Sequence, residues 1–77
     1  MRVVLDAYHR KSPDQAWWGT ESRKVVLDVA GYDATGPLVR ITIYSAERDS
    51  QGNITLSEDT EIVVRLSDLA RAVKALS

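Results

Sequence analysis

Glu61-Ile62-Val63-Val64-Arg65-Leu66-Ser67-Asp68-Leu69-Ala70-Arg71-Ala72-Val73-Lys74-Ala75-Leu76 is the stretch on which the fold turns. Ile62, Leu66, Leu69, Val73 and Leu76 fall on one helical stripe, so a single long helix from Ser57 satisfies the periodicity. Against it, Ile62-Val63-Val64 is β-branched throughout, and Ile62, Val64 and Leu66 also keep the alternation of a strand. Ser67 supplies a polar N-cap just where the second pattern begins. The balance favours a strand over Glu61–Leu66 followed by a helix over Asp68–Leu76, with the long helix as the alternative.

Upstream, the alternation is that of strands. Val39, Ile41 and Ile43 alternate with Arg40, Thr42 and Tyr44, which predicts a strand over Leu38–Ala46. Asp49-Ser50-Gln51-Gly52-Asn53 is a reversal signal leading into Ile54-Thr55-Leu56. Met1–Tyr8 and Arg23–Ala30 read as two further strands, and Asp33-Ala34-Thr35-Gly36-Pro37 as the turn after the second. Between them, the polar segment from His9 to Gln15 breaks the pattern, and Pro13 marks a loop or a short helical turn from Ser12. The tetrapeptide Val3-Val4-Leu5-Asp6 recurs as Val25-Val26-Leu27-Asp28, so these two strands have matching faces and suit side-by-side pairing. The fold expected is one α+β domain over residues 1–77. It has a small antiparallel sheet of four or five strands and a C-terminal helix packed on one face. Val3, Leu5, Val25, Leu27, Val29, Val39, Ile41 and Ile43 would face the helix. Arg2, Tyr8, Lys24, Arg40, Thr42 and Tyr44 would form the outer face, together with Val4, Asp6, Val26 and Asp28.

Size and charge narrow the function. A chain of 77 residues buries only about 60% of the surface its unfolded form exposes, so extra burial has to come from elsewhere. With no cysteine and one histidine, neither disulfides nor a zinc site can supply it, which leaves a homodimer as the expected source. Ten basic residues against eleven acidic ones give a net charge of −1, without the basic excess usual in a dedicated nucleic-acid binder. No charged segment followed by a long apolar run opens the chain, and no apolar run approaches the roughly 20 residues that span a bilayer. A cytoplasmic protein without membrane contact is expected.

Chemistry finds few reactive groups. His9 stands between Tyr8 and Arg10 and reads as a solvated loop histidine rather than a general base. No serine lies in a nucleophile-elbow pattern, and the four glycines are scattered as turn residues. Glu47 with Asp49, and Glu58-Asp59 with Glu61, are acids around turns where solvated carboxylates are commonplace. No catalytic residue, cofactor or metal is expected, and the chain is read as a non-enzyme. Trp17-Trp18 is the informative pair. Two indoles beside a polar loop either cap the open end of the core or stand exposed as anchors, the residue type enriched at interface hot spots.

From Arg23 onward the order of elements resembles the single-stranded-DNA-binding transcriptional coactivator family known as positive cofactor four, and its small bacterial relatives. The likeness covers about the last two-thirds of the chain. It rests on the successive strands, the turn Asp49-Ser50-Gln51-Gly52, and the ending Ile62-Val63-Val64-Arg65-Leu66-Ser67 with Leu69 and Val73. That family is dimeric and grips nucleic acid with a curved basic sheet, so the resemblance implicates Lys24, Arg40 and Tyr44. The chain departs from it in lacking a basic excess and in carrying Glu58, Asp59 and Glu61.

Two functions lead, with a structural subunit that has no separate ligand as the third. The first is a small protein-interaction module, a regulator or inhibitor of a host protein of the size that phages encode. It would bind its partner through Trp17, Trp18 and an adjoining sheet face with Tyr8, Lys24, Arg40 and Tyr44. The alternative is a dimeric single-stranded nucleic-acid binder using the outer face, where tyrosines would stack on bases.

Overall fold

Three reversals set the topology. The structure, a computed structural model, describes residues 1–77 and every side chain except those of Thr20 and Glu21. Strand order follows chain order in a single antiparallel sheet: β1 (Arg2–His9), β2 (Trp18–Asp33), β3 (Gly36–Arg48) and β4 (Ile54–Arg65), continued by helix α1 (Leu66–Leu76).

Short polar side chains close two of the turns on themselves. After β2, the Asp33 carboxylate accepts from both the amide and the hydroxyl of Thr35, and Gly36 takes φ 116°, where a side chain would be strained. After β3, Asp49 Oδ1 accepts from the amides of Gln51 and Asn53, each at 2.9 Å, and Gly52 sits at φ 85°. These bonds favour the charged carboxylate. Thr35 holds the Asp33 carboxyl below its ordinary range, and the Asn53 and Gln51 amides do the same for Asp49.

The register fixes the faces. Val3 opposes Leu27 and Leu5 opposes Val25; Leu27 in turn opposes Ile41, and Val29 opposes Val39. Ile41 and Val39 lie opposite Ile62 and Val64 of β4. One face is therefore aliphatic from β1 to β4, as the alternation predicts. The repeated tetrapeptide does lie in neighbouring strands, paired antiparallel through Val4 and Val26.

The strands run past their expected ends, β2 to Asp33 instead of Ala30 and β3 over Gly36–Arg48 instead of Leu38–Ala46, and two larger differences come from pairing. Ile54–Leu56 and Glu61–Arg65 belong to one strand, because the polar stretch between them forms a bulge and does not break the ladder. Ile43 opposes Thr60 and Tyr44 opposes Glu58, leaving Asp59 as the extra residue. Its carboxylate is held there by the Ser45 hydroxyl at 2.5 Å and Arg23 at 3.5 Å. β2 likewise begins at Trp18, five residues before Arg23. Trp18 pairs with His9, and the register jumps from Lys24 to Thr20 between Asp6 and Ala7.

The end of the chain is a strand followed by a helix, the first of the two sequence readings. The helix nevertheless starts at Leu66, capped by Arg65 in extended conformation with no side-chain cap bond, so Ser67 lies inside the first turn and does not cap it. Asp68 in that turn complements the helix dipole and holds Arg71 at 2.8 Å.

The helix does not cover the sheet as expected. β4 runs into α1 with no connecting residue. The closest neighbours of the helix are β3 and β4, and none of its residues is buried. Between its first turn and the sheet lies an apolar groove of about 240 Å³, lined by Val3, Leu27, Val29, Val39, Leu66 and Leu69. Among the described residues the buried core is Val26 and Val39, with Thr42 the one buried polar residue. No helix is long and apolar enough to cross a membrane.

Candidate functional site

The loop joining β1 to β2 is held by its own polar groups. Arg10 donates to the Pro13 carbonyl at 3.0 Å, and the Gln15 amide donates to the Ser12 carbonyl at 3.1 Å, giving the short turn expected around Ser12 and Pro13. The Ser12 hydroxyl donates to Asp14 at 2.5 Å and keeps that carboxyl below its usual range.

This loop sets the indoles. The Arg10 guanidinium lies 4.2 Å from the centre of the Trp17 ring, a cation–π contact. Trp18, the first residue of β2, meets the ring of His9 edge-on, with centroids 5.5 Å apart and planes at 88°. Tyr8 crosses to Gly19, where a side chain would meet its ring at 3.9 Å. All three aromatics are therefore oriented, yet none is covered: Trp17 is 60% exposed, Trp18 49% and Tyr8 67%. The open-end cap, the alternative for the tryptophans, would need at least one of them buried.

The six residues singled out from the sequence fall into two groups. Tyr8, Trp17 and Trp18 gather at the loop end of β1 and β2. Lys24 and Tyr44 are cross-strand neighbours in the middle of the outer face, and Arg40 stands opposite Asp28 two pairs further on. Here a depression of about 230 Å³ has Val26 and Thr42 at its floor and Arg2, Arg40, Tyr44, Glu58 and Glu61 among its walls.

Two cations of this outer face are paired with aspartates. Lys24 holds Asp6 at 2.5 Å and Arg40 lies 3.7 Å from Asp28. Thr42 stands opposite Glu61, and Tyr44 opposite Glu58. The cations that the family resemblance assigns to phosphate are thus already matched to carboxylates, and the tyrosine that would stack a base has an acid as its neighbour. Among the described residues, no group of three or more histidine, cysteine or acidic side chains could hold a metal ion.

Two contributors escaped the sequence reading. His9 is a strand residue in ring contact with Trp18, not a solvated loop histidine. Arg10, seven positions before Trp17, reads in the sequence as part of a polar stretch. Its signal, a cation and an aromatic at the two ends of a tight loop, becomes visible only once the loop closes. The chain matches no family model, no curated protein and no solved structure.

Proposed function

We propose that this chain is a non-enzymatic protein-interaction module that offers Trp17 and Trp18, with Tyr8 beside them, as the anchor for a partner protein. The observation that carries this reading is an indole that is fixed but uncovered: Trp17 is clamped by Arg10 and still 60% exposed. Tryptophan, tyrosine and arginine are the residues that dominate interface hot spots, and anchors already held in place lose little freedom on binding. A small regulator or inhibitor of a larger protein is the role that fits a domain of this size.

The nucleic-acid alternative has less support. Its phosphate contacts would fall to Lys24 and Arg40, which would have to leave Asp6 and Asp28 first. The test compares wild type with the double variant Trp17→Ala/Trp18→Ala as bait in the native host. The expected result is a protein retained by wild type and lost by the variant, with unchanged circular dichroism and with wild-type fluorescence readily quenched by acrylamide. Equal retention by both baits, or oligonucleotide binding that weakens steeply with salt, overturns the reading.

A further inference from the structure

The apolar face of the sheet has no cover of its own beyond the helix end. Val3, Leu5, Val29 and Ile62 are exposed there, and the stripe continues along the helix through Leu66, Val73 and Leu76, all exposed as well. We propose that this face is a self-association interface, covered by the same face of a second copy of this chain.

Area supports it first. A compact monomer of 8.6 kDa exposes about 4,700 Å². This chain exposes 6128 Å², an excess of about 1,400 Å². Two copies hiding that excess from each other bury about 2,800 Å² together, within the range of permanent homodimers. The shape agrees: extents of 48 × 31 × 17 Å describe a flat molecule with a broad face open to a partner.

Symmetry chooses the occupant. At a two-fold axis a face meets itself, so every charge near the axis meets its own kind. Strand for strand, the apolar face opposes only aliphatic residues from Val3 through Leu27 and Ile41 to Ile62. The outer face brings Glu58 and Glu61, and the free edge of β4 brings Asp59 with them, so neither would meet its copy as easily. Among the described residues Val39 alone on this face is buried, so the face needs its cover as soon as the chain folds. Its own copy is the partner always present in matching amount.

Sedimentation equilibrium and thermal unfolding of the full chain at about 1 to 100 µM test the proposal. The expected result is a mass of twice 8.6 kDa and an unfolding midpoint that rises with concentration. Leu5→Glu, on the apolar face, should weaken the dimer about 100-fold or more, whereas Val4→Glu, its exposed neighbour on the outer face, should change it less than about threefold. Should Leu5→Glu fail to fold, the concentration dependence of the wild type still decides. A wild-type monomer at the highest concentration with a constant midpoint overturns the proposal. So does a dimer broken by Val4→Glu and spared by Leu5→Glu. Neither result touches the reading of Trp17 and Trp18, which lies at the loop end.

Discussion

The two faces of the sheet are built from alternate residues of the same four strands, and they solve the problem of water in opposite ways. On the outer face the central residues, Val26 and Thr42, are 5% and 4% exposed although no second layer lies over them. The stems of Arg2 and Arg40 and the ring of Tyr44 stand around them, with charged and hydroxyl ends in water. On the apolar face the surrounding side chains are short aliphatics that cannot lean over their neighbours. Among the described residues only Val39, beside the first turn of the helix, reaches burial there, at 7%. Long amphipathic side chains can roof a sheet from within, whereas valine and isoleucine need another layer.

Substitutions can break or sharpen that contrast. The largest effect is expected from Val39→Asp, which puts an unpaired carboxylate in the one place where helix and sheet close together. A loss of about 3 kcal/mol or more should leave the chain largely unfolded by circular dichroism, and a cooperative urea transition near the wild-type midpoint would show that the helix end contributes little. Val26→Ala on the outer face should cost about 2 kcal/mol in chemical denaturation, the loss for a roofed aliphatic. A change within error would mean that the roof is loose. Arg40 separates roof from charge. Arg40→Met keeps the stem and should stay within about 0.5 kcal/mol of wild type, because the Asp28 pair is partly exposed. Arg40→Ala strips the stem and should cost about 1 kcal/mol, so equal effects of the two would mean that the ion pair, not the stem, matters.

The smallest effect lies at the β3–β4 turn. The Asp49 carboxyl is held below its ordinary value by amide donors that exist only in the folded turn. Its contribution to stability is therefore complete above the unfolded value and fades as pH falls through the lower, folded one. The amide of Asn53, followed by NMR during acid titration, should report a midpoint below that of an unstructured aspartate. Asp49→Asn should remove this part of the acid sensitivity, and an unchanged profile would rule the turn out as its source.

Much of this was legible in the residues. Strict alternation placed the faces, because a strand sends successive side chains to opposite sides whatever its neighbours are. The Asp–Gly turns were visible because each carries its own hydrogen-bond partners within five residues. The β-branched run Ile62-Val63-Val64 resisted the helical stripe that Leu66, Leu69, Val73 and Leu76 shared with it. Less legible were the features that depend on a partner strand. Ser57–Thr60 has the composition of a loop, yet Ser45 and Arg23 hold Asp59 as a bulge. Trp18 reads as part of a loop, yet it pairs with His9. At the site, exposed indoles were one of two open readings. That Arg10 and His9 would orient them could be seen only when the loop had brought the chain back.

What the sequence determined by itself was local and periodic: four strands' worth of alternation, two self-closing turns, one amphipathic helix, and a charge balance without basic excess. Tertiary structure decided where those elements stopped and what covered them. It ran β4 into the helix without a joint, left the aliphatic face open, and matched Lys24 and Arg40 to aspartates on neighbouring strands. The physical reason is that periodicity is a property of one segment. Cover and charge pairing belong to groups that are distant along the chain and meet only when the sheet has formed.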